Sequence, residues 1–99
     1  MVAVRSDALP PDVIARLDRT FVRDGDRVRA RELLSAMQAQ LGAGDFARVI
    51  RCVVHLADGD LATLAEMTAA ACLDWRDVIM WAEYAPGGRR IHDFTTPFE

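Results

Sequence analysis

Apolar residues recur along this chain at spacings of three and four, and no alternating apolar–polar run lasts more than a few positions. That periodicity predicts helices. Pro10-Pro11 suits a first helical turn, where a missing N–H does no harm. Val13, Ile14, Leu17 and Phe21 then share one face of a short helix. Asp24-Gly25-Asp26 interrupts the pattern, and either aspartate can cap a second helix. Val28, Leu33, Leu34, Met37 and Leu41 form its stripe, and Gly42 and Gly44 end it. Asp45 is the expected cap of a third helix. There Phe46, Val49, Ile50, Val53, Val54, Leu56 and Ala57 cover so wide an arc that it is expected at the centre.

After Asp58-Gly59-Asp60 a fourth, alanine-rich helix is expected from about Leu61 to Cys72, with Leu61, Leu64, Ala65, Thr68 and Cys72 inward. Asp74 is the expected cap of a fifth, supported by Asp77 in its first turn. Trp75, Val78, Ile79 and Ala82 are its expected core face, and Pro86-Gly87-Gly88 stops it. The linkers around the last helices are only two or three residues long, which favours antiparallel neighbours. The expectation is an all-α, compact bundle of four main helices plus a short N-terminal helix, with an irregular C-terminal tail. The 99 residues suit one domain, 1–99, with a core over about 10–85 and a tail over 86–99.

Composition narrows the class. Just over half of the residues are hydrophobic, which argues against disorder. No segment approaches the roughly 20 apolar residues of a membrane span, and Met1 to Asp7 lacks the apolar core of a secretory signal. A cytoplasmic location is therefore expected, with Cys52 and Cys72 as reduced core residues. Every basic residue is arginine, and asparagine is absent too, a bias that fits a GC-rich, bacterial genome. The net charge of −3 divides unevenly: +1 over residues 1–44, −4 over 45–85 and zero over 86–99. A net acidic chain is a poor general ligand for nucleic acid, whose affinity comes from neutralised phosphates.

One segment carries a resemblance. Gly59-Asp60-Leu61, Leu64, Ala71, Asp74-Trp75-Arg76-Asp77-Val78-Ile79 and Ala82-Glu83-Tyr84 resemble the C-terminal half of a family of small uncharacterised bacterial helical proteins. There the pattern reads GDL, then D(Y/W)RDV, then AEY. The resemblance spans about residues 45–86 and implies a compact helical unit. It implies no activity and transfers no catalytic residue.

Candidate chemistry is sparse. Asp58-Gly59-Asp60 lacks the further oxygen ligands of a calcium loop and reads as a C-cap followed by an N-cap. Cys52, His55, Cys72 and His92 have zinc-compatible atoms at no recognised ligand spacing, so no metal or cofactor is expected. No nucleophile elbow, phosphate loop or dinucleotide fingerprint is present, and an enzyme is not expected. A DNA-reading fifth helix would expose Arg76, Asp77, Met80, Glu83 and Tyr84, whose acids repel phosphate.

Two surfaces remain. Arg23, Arg27 and Arg31 recur every four residues on the second helix, and Arg48, Arg51 and His55 share a face of the third. Arg27, Arg31, Arg48, Arg51 and His55 are thus a candidate anion or nucleic-acid stripe, unless they pair with acids elsewhere. Met80 and Tyr84, with Trp81 at the boundary, fall outside the inward stripe of the fifth helix. Such aromatic exposure marks interfaces. Either Ile91, Phe94 and Phe98 of the tail cover this patch, or Met80, Trp81, Tyr84, Phe94 and Phe98 together bind a protein partner or a second copy. The leading expectation is a small protein–protein interaction module, in part because no other chemistry is written in the chain.

Overall fold

The computed structural model describes residues 9–42 and 46–98. Among the described residues four helices follow one another: α1 (Pro11–Thr20), α2 (Asp24–Leu41), α3 (Ala47–Ala57) and α4 (Leu61–Glu83). Among the described residues there is no strand, only an isolated antiparallel bridge between Tyr84 and Arg90. No described helix is long and apolar enough to cross a membrane.

The expected fourth and fifth helices are the two halves of α4, joined with no loop across a kink at Asp74. The backbone of Asp74 is non-helical (φ −157°, ψ 101°) while both neighbouring segments stay helical. Its carboxylate accepts the Arg76 backbone N–H at 3.1 Å, so the expected cap is present, but a single residue serves as the whole linker. Asp60 caps the start of α4 by accepting the Thr63 N–H at 3.0 Å. Asp24 and Asp26 do not act as side-chain caps: both lie in the first turn of α2, and Arg23 precedes it. They still oppose the positive end of the helix dipole there. Asp45 and Gly44 lie outside the described residues.

α3 and α4 form the centre, with α2 packed on α4 and α1 on α2 and α3. The core contains Val13 and Leu17 of α1, Leu34 and Met37 of α2, Ile50 and Val53 of α3, and Leu64 and Val78 of α4. Nearly the whole circumference of α3 is buried, including Arg51 and Cys52. Three expected inward positions differ. Val28 is exposed; Ala30 takes its place in the core. Ala71 is fully buried, whereas Cys72 is only partly so. Trp75 sits at the rim, edge-on to Phe46 with ring centroids 6.1 Å apart.

Between α3 and α4, Asp58 adopts a left-handed conformation (φ 48°) and Gly59 follows at φ 79°. A Cβ on Gly59 would lie 3.1 Å from Thr20 Cγ2, so this turn needs glycine for both conformation and space.

Candidate functional site

The tail decides which surfaces are free. The chain reverses after α4, with Gly88 N–H donating to Ala85 O and Ala85 N–H to Arg89 O. It then returns across the end of α4, where the Glu83 carbonyl accepts from Ile91 N–H (2.7 Å) and His92 N–H (3.2 Å). Beyond that it crosses α3 and α1. Phe94 is buried and Phe98 half-buried, and the Arg16 guanidinium lies 4.8 Å above the Phe98 ring.

The anchor of this tail is Glu83, which the sequence reading placed on the outside. Its side chain has no solvent exposure. An ionised carboxylate in such a place requires partners. Arg48 supplies two hydrogen bonds at 2.8 and 2.6 Å, Arg90 one at 2.9 Å, and the Phe94 backbone N–H another at 3.3 Å. The Arg48 guanidinium, foremost, holds this carboxyl below its ordinary range against the opposing effect of burial. The Cys52 thiol lies 3.9 Å from the same carboxylate. Burial first, then the Glu83 charge, push that thiol up to about 12, so it stays protonated and unreactive.

A second pair sits beside it. Arg51 donates to both carboxylate oxygens of Asp12, at 2.9 and 3.2 Å, and to the Phe94 carbonyl at 3.2 Å. Asp12 also accepts the Phe98 backbone N–H at 3.0 Å. The two side chains are only 9% and 12% exposed, so α1, α3 and the tail share one fork-to-fork ion pair. Its hydrogen bonds to Arg51 hold Asp12 below the usual carboxylate range. His55 stacks near His92 (4.7 Å between centroids) and Phe94 (4.9 Å). Burial, then the nearby His92 and Arg16, disfavour its protonation.

The arginine stripe is thereby drawn inward. Arg48 and Arg51 bind Glu83 and Asp12 rather than facing solvent together. On α2, Arg27 donates to the carbonyls of Phe21 and Asp18 and to the Asp24 carboxylate, and Arg31 to Asp18 at 2.9 Å. The buried Nε of Arg31 has no partner. The five candidate residues therefore divide between two places: Arg27 and Arg31 beside Asp18 and Asp24, and Arg48, Arg51 and His55 under the tail. Among the described residues no group of three histidines, cysteines or acids could hold a metal ion.

The aromatic candidates divide too. Phe94 and Phe98 are spent on α1 and α3. Met80, Trp81 and Tyr84 stay 52%, 49% and 37% exposed on the last turns of α4. With Ile79, Arg76 and Pro86 they line an open, mainly apolar cleft of about 720 Å³. A second shallow cleft, about 520 Å³, lies between α2 and the first part of α4, along Ala36, Ala69, Cys72 and Leu73.

Comparison with family models, with curated proteins and with solved structures returns no match.

Glu83 had a faint signal in the sequence. It stands four residues after Ile79 and next to Ala82, both read as inward, so helical spacing already directs it toward the core. The partners that make its burial tolerable are 35, 7 and 11 residues away, beyond the reach of local pattern.

Proposed function

We propose that the chain is a small protein–protein interaction module whose contact surface is Met80, Trp81 and Tyr84. The observation that carries this reading is the path of the tail. Of the three tail residues available to cover that patch, Phe94 and Phe98 pack against α1 and α3 instead, and Ile91 is itself exposed. Three large side chains therefore stay half in water on one helix face, and tryptophan and tyrosine so placed are the residue types that dominate binding energy at interfaces. The setting is the bacterial cytoplasm, where Cys52 and Cys72 remain thiols; both are free in the structure. The test is the double variant W81A/Y84A, measured by sedimentation for self-association and by titration for partner binding. Loss of association with unchanged helical content supports the proposal. Unchanged association and unchanged partner binding refute it.

The anion-binding alternative draws less support. Arg48 and Arg51 are each held by a buried or nearly buried carboxylate, and releasing them to a phosphate would strand that acid.

A further inference from the structure

The tail crosses α3 on a cluster of three rings. His55, near the end of α3, lies 4.7 Å from His92 and 4.9 Å from Phe94 between centroids, and His92 lies 5.5 Å from Phe94. His55 is partly buried under the tail, whereas His92 is exposed. While neutral, the two imidazoles pack as aromatic rings. Acid adds a positive charge to each, since histidine titrates between about pH 5 and 8. Two like charges this close repel. The neighbours do not cancel that repulsion. Arg16 of α1 opposes a charge on His55, and the attraction of Asp58, one turn further along α3, is the smallest of the influences on it. Arg51, one turn before His55, has its charge matched by Asp12, and Arg90 of the tail has its own matched by Glu83 and Asp93.

We propose that His55 and His92 form an acid-sensitive latch: when both imidazoles are charged, the tail beyond Ile91 lifts from α3 and α1 while the four helices stay folded. The closed tail tolerates one charge on the pair, and the open tail takes up a second proton from solvent. The other fastenings of the tail do not titrate in the same range. Asp12, Glu83 and Asp93 are each held below the usual carboxylate range, foremost by Arg51, Arg48 and Thr95 respectively, and the arginines keep their charge throughout. The histidine pair is therefore the fastening that changes as the medium turns mildly acidic. The tail, rather than the core, is the part that yields. Beyond His92 its backbone is held by the Phe94 N–H on Glu83, the Phe94 carbonyl on Arg51 and the Phe98 N–H on Asp12, and Phe94 is its one buried side chain. A segment with so few fastenings opens at lower cost than packed helices. Its opening uncovers Asp12, Arg51 and His55 on α1 and α3.

Amide hydrogen exchange of the full chain tests this, followed residue by residue by NMR and corrected for the intrinsic pH dependence of exchange. The Phe94 and Phe98 amides, held by Glu83 and Asp12, read the tail, and the amides of Val53 and Ala71 read the core. The tail amides are expected to be less protected than the core amides at every pH. Their protection is expected to fall about threefold to tenfold from about pH 7 to about pH 5, since one extra proton taken up on opening gives at most tenfold per pH unit. H55Q is expected to abolish this fall. H92Q, at an exposed position that leaves the core intact, is expected to reduce it well below that of the wild type. Tail protection that does not change with pH overturns the proposal. Tail amides as well protected as Val53 and Ala71 overturn it too, because the tail then opens only when the whole domain unfolds. A fall retained in full in H92Q overturns the histidine pair and leaves the burial of His55 as the sole cause.

Discussion

Glu83→Ala removes the point where α3, α4 and the tail meet. The carboxylate is fully buried and accepts four hydrogen bonds from Arg48, Arg90 and Phe94. Deleting one side of a buried ion pair costs about 3–5 kcal/mol, chiefly through the charge left behind. Here the remaining guanidiniums are 35% and 42% exposed and can recover water, which places the loss near the lower end, about 3 kcal/mol. A domain of this size has roughly 5–15 kcal/mol in total, and its melting temperature moves about 4–8 °C per kcal/mol. The expected fall is thus roughly 12–24 °C. Urea unfolding followed by tryptophan fluorescence measures it directly, and trypsin cleavage after Arg90 is expected to accelerate because the tail loses its anchor. Glu83→Gln keeps the volume but turns an amide donor toward two guanidiniums, and is expected to cost about 1–3 kcal/mol. A loss below about 1 kcal/mol for Glu83→Ala, with unchanged cleavage, would show that the carboxylate does not hold the tail.

Three other outcomes follow from the same geometry. Gly59→Ala is expected to cost about 1–2 kcal/mol, because alanine is strained at φ 79° and its Cβ meets Thr20; adding Thr20→Ser should recover only the steric part in thermal melts. Stability should fall with pH in two steps. Protonation of His55 is disfavoured in the fold by burial, His92 and Arg16, with Asp58 in partial compensation. The unfolded chain therefore binds that proton first, and stability declines as pH drops below about 6.5. The carboxyls of Asp12 and Glu83 are held low, so their contribution is complete above about pH 4.5 and is lost as pH falls through their folded values. Chemical denaturation across pH checks both steps, and His55→Gln should remove the first alone. Arg51→Met leaves Asp12 without its fork and the Phe94 carbonyl without a donor. A loss of about 3 kcal/mol is expected in urea, and a smaller loss from Arg51→Met with Asp12→Leu would show that the stranded acid causes most of it.

The local code of this chain was legible because its signals are local. Three- and four-residue spacing located the helices, Asp60 and Asp74 cap where short polar side chains precede a helical run, and the glycines at 42 and 59 stand where the backbone takes positive φ. The exposed face of Met80, Trp81 and Tyr84 also followed from helical angle alone, since that angle depends only on neighbours along the chain. Tertiary structure decided the rest. Whether Asp74 separates two helices or bends one depends on what both halves pack against. Whether an arginine stripe faces solvent depends on acids that are distant in sequence, and Asp12 and Glu83 turned Arg51 and Arg48 inward. The destination of Phe94 and Phe98 was set by backbone groups of the tail finding Glu83, Arg51 and Asp12, contacts 11, 43 and 86 residues apart. A buried carboxylate is tolerated only where several donors converge, and convergence from separate elements is a property of the fold, not of any one segment.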